Sequence, residues 1–293
     1  MKPLPELDAS ALLQKIAERV PPALRTHVVV IGSIASAWAF RDISGTRTVA
    51  TKDIDLLLQP AIDAVATAQF LGQELLDAGW QPTYPGNLQP GHLDTPDERL
   101  PTLRLTPPDE AAGWFVELLA EPTANQATRK HWRRFRTDLG DFGLPSFRYL
   151  RVAVHAADAT DFGLRVARPA NMALAHLLEH ADPDRTPISS LPGNPPRFTK
   201  DVGRAISLWW LAREQSPRAG EQWLEQWRAT LTALYPGQQT QMQAAARAGL
   251  TAVSDYLREA HRLALYSVLA PHGTTLTAFR RAHASLLKLI DRL

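Results

Sequence analysis

The sequence predicts an α+β protein in which a region of strands and helices, residues 1–168, precedes a helical bundle, residues 169–293. Two observations support this prediction. Short runs rich in β-branched residues alternate with helical patterns in the first region, whereas apolar residues recur at three- and four-residue spacing through most of the second. With 45% hydrophobic residues among 293, the chain has enough apolar material for a buried core.

The elements of the first region follow from local signals. Asp8 is a helix start signal, Gly32 ends a β-rich run, and Pro60 bounds another. The predicted order is a helix over 9–20, a strand over 27–31, a helix over 34–40, a strand over 54–58 and a helix from about 61 to 78. Further short strands are predicted at "TLRLT", "WFVELLA", "YLRVAVHA" and "FGLRVA".

Composition excludes several classes of chemistry. The chain has no cysteine, so disulfides, thiolate nucleophiles and Cys-ligated zinc are excluded. The net charge of +2 gives no strong overall attraction to nucleic acid, so any polyanion site must be local. The first twenty residues are charged and interrupted by prolines, and no apolar run approaches the length of a membrane span. We therefore expect a soluble, cytoplasmic protein without a membrane partner.

The motif "TKDIDLLLQP" places two aspartates at the head of a strand. Because side chains alternate along a strand, Asp53 and Asp55 should project from one face while Ile54 points into the core. Two carboxylates so close repel each other unless a cation neutralises them, and a hard divalent ion such as Mg²⁺ accepts oxygen ligands readily. The spacing therefore predicts a metal clamp.

The motif "VVVIGSIASAWAF" supplies a complementary feature. Gly32 allows the backbone to approach a ligand closely, and the start of the following helix presents free N–H groups toward a phosphate, with Ser33 adding a hydroxyl. Glu117 in "WFVELLA" is the candidate third carboxylate for two-metal chemistry. A predicted phosphate-binding segment on one side and predicted metal ligands on the other together indicate a nucleotide site.

This order of motifs resembles the nucleotidyltransferase-fold superfamily typified by DNA polymerase beta. Over roughly residues 25–213 the chain is similar to bacterial proteins related to AbiEii-type and MenT-type toxins, including uncharacterised relatives. The resemblance implies a mixed sheet with flanking helices, and transfer of a nucleoside monophosphate from an NTP to a hydroxyl, with release of pyrophosphate. It implies a metal site for Mg²⁺ or Mn²⁺ at Asp53, Asp55 and Glu117, which also form the catalytic set, and nucleotide binding at Gly32, Ser33, Thr51, Lys200 and Asp201.

The resemblance also implies partners and leaves alternatives open. The acceptor could be tRNA or other RNA, a protein side chain or a small molecule, and a toxin-like protein would have an antitoxin partner. The family usually has Asp where this chain has Glu117, and commonly a lysine where His176 stands. A nucleotide-binding or partner-binding protein that has lost catalysis therefore remains an alternative. For Asp201, phosphate-site and helix-capping roles are equally compatible with the sequence.

Three further patterns have competing interpretations. "HLLEH" satisfies the zinc hydrolase pattern H-x-x-E-H through His176, Glu179 and His180, a minor alternative. "RKHWRRFR", taken as a helix, would leave four cations free for solvent or for RNA phosphates. Those cations are Arg129, Lys130, Arg133 and Arg134. The tryptophans at 209, 210, 223 and 227 are interpreted as core residues, not as a base-stacking platform.

Overall fold

The structure is a computed structural model that describes residues 5–43, 48–108, 113–179, 187–188 and 194–293. Within these residues the chain is a mixed α+β protein, as the sequence predicts, with strands confined to the first region and helices filling the second. No helix in the described part combines the length and apolar character needed to cross a bilayer.

The described residues form one large sheet and two small ones. The strands are β1 Glu6–Asp8, β2 Val28–Ile31, β3 Thr48–Ala50, β4 Asp53–Leu58, β5 Gln81–Thr83, β6 Arg104–Thr106, β7 Phe115–Ala120, β8 Lys130–Thr137, β9 Gly140–Phe147, β10 Asp158–Ala159 and β11 Arg165–Val166. The large sheet has the order β10-β11-β2-β4-β7-β6-β5, while β1 pairs with β3 and β8 pairs with β9.

The large sheet is mixed. Its central strand β4 runs antiparallel to β2 and parallel to β7, and β2 is parallel to β11. Strands β2 and β4 are almost continuously apolar because both faces of the sheet are covered. The C-terminal end of β2 and the N-terminal end of β4 therefore lie side by side, at one edge of the sheet.

Helices cover the sheet and fill the second region. They are α1 Ala9–Arg19, α2 Gly32–Ala39, α3 Ala64–Asp77, α4 Leu150–Val154, α5 Pro169–Glu179, α6 Arg197–Gln215, α7 Ala219–Leu234, α8 Gln239–Ala252, α9 Leu257–Ala264 and α10 Leu276–Ile290. The Asp8 carboxylate accepts a hydrogen bond from the Ala11 amide at 2.8 Å, so the predicted start signal of α1 is confirmed.

Two predicted elements are wrong. "RKHWRRFR" is expected as a helix but forms β8, because Phe135 and Thr137 are buried at strand spacing and pair with the unpredicted strand β9. "YLRVAVHA" is expected as a strand, but its centre forms the short helix α4, and "FGLRVA" contributes only β11, which pairs with β2 and β10. In both cases β-branched or charged residues were compatible with either structure locally, and tertiary packing decided.

The buried residues of both regions belong to one continuous cluster. It includes Trp209, Trp223 and Trp227, each at most 5% exposed, while Trp210 is half-buried against the ring of His272. The indole of Trp227 donates to the Ala170 carbonyl at 2.7 Å. The core interpretation of these tryptophans is confirmed, and the boundary near residue 168 stays a prediction.

Candidate active site

One row of directly paired residues crosses four neighbouring strands at the edge of the large sheet. Asp55 on β4 pairs with Ile31 on β2 and with Glu117 on β7, and Glu117 pairs in turn with Arg104 on β6. Directly paired residues project to the same face of a sheet. Asp55, Glu117 and Arg104 therefore stand side by side, and we call these three residues the edge row.

Asp53 projects from the same face as Asp55, one step nearer the strand end, whereas Ile54 between them is fully buried. The predicted geometry of the Asp-x-Asp motif is confirmed. Thr51 is buried just before the strand, and its hydroxyl oxygen lies 3.3 Å from the Asp53 amide, which donates to it. Thr51 thus fixes the turn from which Asp53 emerges.

Gly32 lies between the end of β2 and the carboxylate of Asp55. Its φ of +74° is in the left-handed region, and a Cβ on it would lie 3.1 Å from Asp55 Oδ2. Both the backbone angle and the close approach favour glycine here. Helix α2 begins at Gly32, next to Asp55, so its first amides and the half-buried Ser33 border the edge row. No described side chain caps this helix start.

Asp55 is the most electrostatically perturbed acid of the site. Burial, and after it the negative charges of Glu117 and Asp53, raise its pKa from the ordinary 3.8 to about 7. Arg204 and Lys200 act in the opposite direction. The protein therefore concentrates negative charge that it neutralises only in part, which is the electrostatic condition for binding a cation.

Helix α6 supplies cations that face these acids. The pKa of Lys200 is lowered to about 8, first by neighbouring Arg204 and then by burial, while Asp201 and Asp53 raise it. The helix begins at Arg197, with Thr199 donating to the Pro196 carbonyl, so Asp201 lies about one turn inside it. The capping interpretation of Asp201 is therefore wrong, and its 7% exposed side chain faces the site instead.

A cavity of about 260 Å³ opens beside the edge row. Its walls combine the polar groups of the site with apolar side chains from β9, α4 and α5. They are Ile31, Gly32, Asp55, Glu117, Leu119, Phe147, Tyr149, Leu150, Ala153, Met172, Ala175, His176, Glu179, Asp201 and Arg204. The sequence motifs of both regions thus meet around one cavity.

Sequence reasoning missed Arg104 as a site residue. Its Nε donates to Glu117 Oε2 at 2.8 Å, in an ion pair whose side chains are 31% and 18% exposed respectively. The available signal was an arginine in "TLRLT" between Leu103 and Leu105, both at most 1% exposed. Since side chains alternate along a strand, burial of the leucines places Arg104 on the opposite face of the sheet, where a neighbouring strand can supply a partner.

A metal site of three acids is not preformed. Within the described ranges, no group of three or more His, Asp or Glu side chains is arranged to hold a metal ion. The donors are nevertheless carboxylate oxygens, which suit Mg²⁺ or Mn²⁺. Asp53 and Asp55 fit such an ion by chemistry and by charge, whereas Glu117 is engaged by Arg104.

The four cations of the basic run are distributed over different contacts. Arg134 bonds the carboxylates of Asp97 and Asp141, and Arg133 donates to the Ala61 carbonyl. Arg129 lies 3.4 Å from Glu179. Lys130 stacks on the Trp132 ring at 3.7 Å, and its pKa is lowered mainly by burial and then by Arg129, while Glu117 raises it. The run is therefore not one free basic face.

The H-x-x-E-H pattern is only partly described. His176 and Glu179 lie on α5 and line the cavity, and Glu179 contacts Arg129 as above. His180 lies outside the described residues. The zinc hydrolase interpretation therefore stays a prediction.

The chain was also compared with known proteins. Neither a scan of protein-family models nor a search of curated proteins found a match to it.

Proposed function

We propose that the protein is a metal-dependent nucleotidyltransferase that moves a nucleoside monophosphate from an NTP to a hydroxyl acceptor and releases pyrophosphate. The observation that carries this proposal is the meeting of Gly32, Asp53, Asp55 and Glu117 at one sheet edge beneath the cations of α6. The motif order that resembles the DNA polymerase beta-like superfamily is kept, and its three strands are immediate neighbours. The nucleotidyltransferase fold is part of the proposal.

The proposed cofactor is Mg²⁺ or Mn²⁺, held by Asp53 and Asp55. A bound divalent ion would withdraw negative charge from the phosphoryl oxygens during transfer. The raised pKa of Asp55 supports this assignment, because a bound cation would offset the cost of burying the charge and the smaller repulsion from Glu117 and Asp53, which together raise that pKa. Thr51 serves the nucleotide site by fixing the position of Asp53.

The remaining residues have separate roles in the proposal. The first amides of α2, with Ser33 and Lys200, hold the triphosphate, because the helix start carries partial positive charge and Lys200 is a cation close enough to act on Asp53 and Asp55. Glu117 accepts the proton of the acceptor hydroxyl. The hydroxyl oxygen bonds to the α-phosphorus, the bond from that phosphorus to the bridging oxygen breaks, and pyrophosphate leaves with its electron pair. Asp201 and Arg204 border the same cavity.

For the acceptor and the partners we propose only their chemical class. Within the basic run, a tRNA or other RNA acceptor would rely first on Lys130, since Arg129, Arg133 and Arg134 each contact other groups of the protein. A protein side chain or a small molecule is the alternative acceptor, and the apolar side chains of the cavity wall would contact it. An antitoxin partner follows only from the toxin-like resemblance, and use of NTPs agrees with a cytoplasmic location.

A non-catalytic nucleotide-binding protein is the second candidate. The ion pair between Arg104 and Glu117 favours it, because one of the two carboxylate oxygens of Glu117 already accepts from a guanidinium and is not available to an acceptor hydroxyl. The two candidates share the nucleotide site and differ only in turnover.

Incubation with each labelled NTP, Mg²⁺ and total RNA tests the proposal, with label followed on RNA, on protein and on small molecules. We expect transfer from at least one NTP, and its loss in both Asp53→Asn and Asp55→Asn. Asp94→Asn, which changes an exposed loop aspartate, is the control and should keep full activity. Nucleotide binding without transfer would favour the second candidate, and unchanged transfer in the double Asp53→Asn/Asp55→Asn variant would contradict the metal assignment.

A further inference from the structure

We propose that Arg104 takes the place of a second divalent ion, so that the site binds a single ion at Asp53 and Asp55 while Glu117 stays outside its coordination. This inference rests on the proposed nucleotidyltransferase function. It concerns the number of ions and the part that Arg104 plays, neither of which the proposed function states.

The contact between Arg104 and Glu117 is built into the sheet. The two residues are direct partners in the antiparallel pairing of β6 with β7, and their side chains meet at 2.8 Å on the face that carries Asp55. Cross-strand partners lie about 5 Å apart at the backbone, so this pairing needs no displacement of either strand. Arg104 therefore reaches Glu117 from the side opposite Asp55.

Arg104 is also held in place from beneath. Its guanidinium lies over the Phe115 ring at 4.6 Å, and Phe115 is the direct partner of Asp53. Two neighbouring rows of paired residues therefore hold the guanidinium. Phe115, the partner of Asp53, contacts it in one row, and Glu117, the partner of Asp55, contacts it in the other. Stacking on a ring together with a charged hydrogen bond distinguishes it from a mobile surface arginine.

The charges of the site favour one ion over two. An arginine stays protonated at all ordinary pH values, so its positive charge beside Glu117 is permanent. The guanidinium balances Glu117, and Lys200 and Arg204 of α6 already offset part of the charge of the two aspartates. The negative charge that is left suits one divalent ion and not two. A second ion bound to Glu117 would lie beside the guanidinium and be repelled by it.

The consequence for chemistry concerns the proton of the acceptor. With Glu117 outside the ion's coordination, its carboxylate is free to accept a hydrogen bond from the acceptor hydroxyl on the oxygen that Arg104 does not hold. The remaining guanidinium N–H groups are donors for a phosphate oxygen on the same face. Arg104 is in these terms a positioning residue for Glu117 and a fixed cation at the reaction centre.

Electron paramagnetic resonance of Mn²⁺ bound to the full chain with a non-hydrolysable α,β-methylene NTP tests the inference. We expect the spectrum of an isolated ion in the wild type, in Glu117→Gln and in Arg104→Lys, which keeps the positive charge. Arg104→Met should give the exchange-coupled spectrum of two neighbouring ions, and the added Glu117→Gln change should abolish the coupling. Arg165→Met, on β11 of the same sheet, is the control and should leave the isolated-ion spectrum unchanged.

The outcomes separate this inference from the proposed function. A coupled pair in the wild type that disappears in Glu117→Gln would overturn the inference and leave nucleotidyl transfer intact. An isolated ion in a folded Arg104→Met variant, checked by circular dichroism, would also overturn it. Failure of the wild type to bind Mn²⁺ with any NTP analogue would overturn the proposed function itself. If Arg104→Met does not fold, Arg104→Gln takes its place, with the same expected and overturning spectra.

Discussion

Replacing Asp55 by asparagine is expected to stabilise the metal-free protein at neutral and alkaline pH. The wild-type carboxyl has a pKa of about 7 in the folded protein, against an ordinary 3.8, because it is buried next to Glu117 and Asp53. Asparagine has nearly the same shape but cannot ionise. The substitution therefore removes the cost of holding a charge at this position.

The sign and size of the effect follow from these values. Between about pH 4 and pH 7 the folded protein keeps a proton on Asp55 that the unfolded chain has lost, so the free energy of unfolding falls as the pH rises through this window. The difference between the two pKa values corresponds to at most about 4 kcal/mol in the free energy of unfolding. Asp55 borders an open cavity, and solvent screening reduces the expected effect to about 1–2 kcal/mol.

Urea unfolding in EDTA, followed by tryptophan fluorescence at several pH values between about 5 and 8, measures the effect. The stability of Asp55→Asn relative to wild type should increase with pH and reach about 1–2 kcal/mol at the alkaline end. Asp94→Asn is the control for loss of one exposed acid. A difference that does not change with pH, or a variant less stable than wild type at pH 8, would refute the reasoning.

Two further substitutions test other parts of the structure. Gly32→Ala should lower the free energy of unfolding by about 1–2 kcal/mol, because alanine is strained in the left-handed region, and should weaken NTP-analogue binding measured by calorimetry. Unchanged stability would contradict the strain argument, and unchanged binding would contradict the approach of a nucleotide to Gly32. Asp141→Asn removes the fully buried carboxylate that Arg134 and Arg136 share and should cost about 2–3 kcal/mol in urea unfolding. Asp138→Asn in the same hairpin is its control, and equal losses would contradict the network.

The sequence predicted the part of the site that depends on local pattern. Alternation along a strand places Asp53 and Asp55 on one face, and a glycine after an apolar strand marks a close backbone approach at Gly32. Both predictions depend only on backbone geometry that each short segment carries by itself. The helices of the second region were predictable for the same reason, since their periodicity extends over several turns.

The contribution of Arg104 depends on strand register, which no single segment contains. Its partner Glu117 lies on another strand, and the pairing of β6 with β7 brings the two together. The strand β8 was missed because a run of alternating charges and aromatic residues suits a helix face and a half-buried hairpin alike. The strand conformation of β8 is determined by its pairing with β9 and by the Asp141 carboxylate, which neutralises Arg134 and Arg136.

The edge row also has a consequence for the timing of synthesis. Asp55 and Glu117 lie on parallel strands, whose pairing closes a long loop and is intrinsically slow. The cations that face them come later still, on α6, which begins at Arg197. Asp53, Asp55 and Glu117 therefore emerge from the ribosome well before Lys200 and Arg204, and domains form from the N-terminal side first. Until α6 has emerged and docked, these acids lack the two cations that lower the pKa of Asp55, so the charge balance of the site is completed only when most of the fold exists.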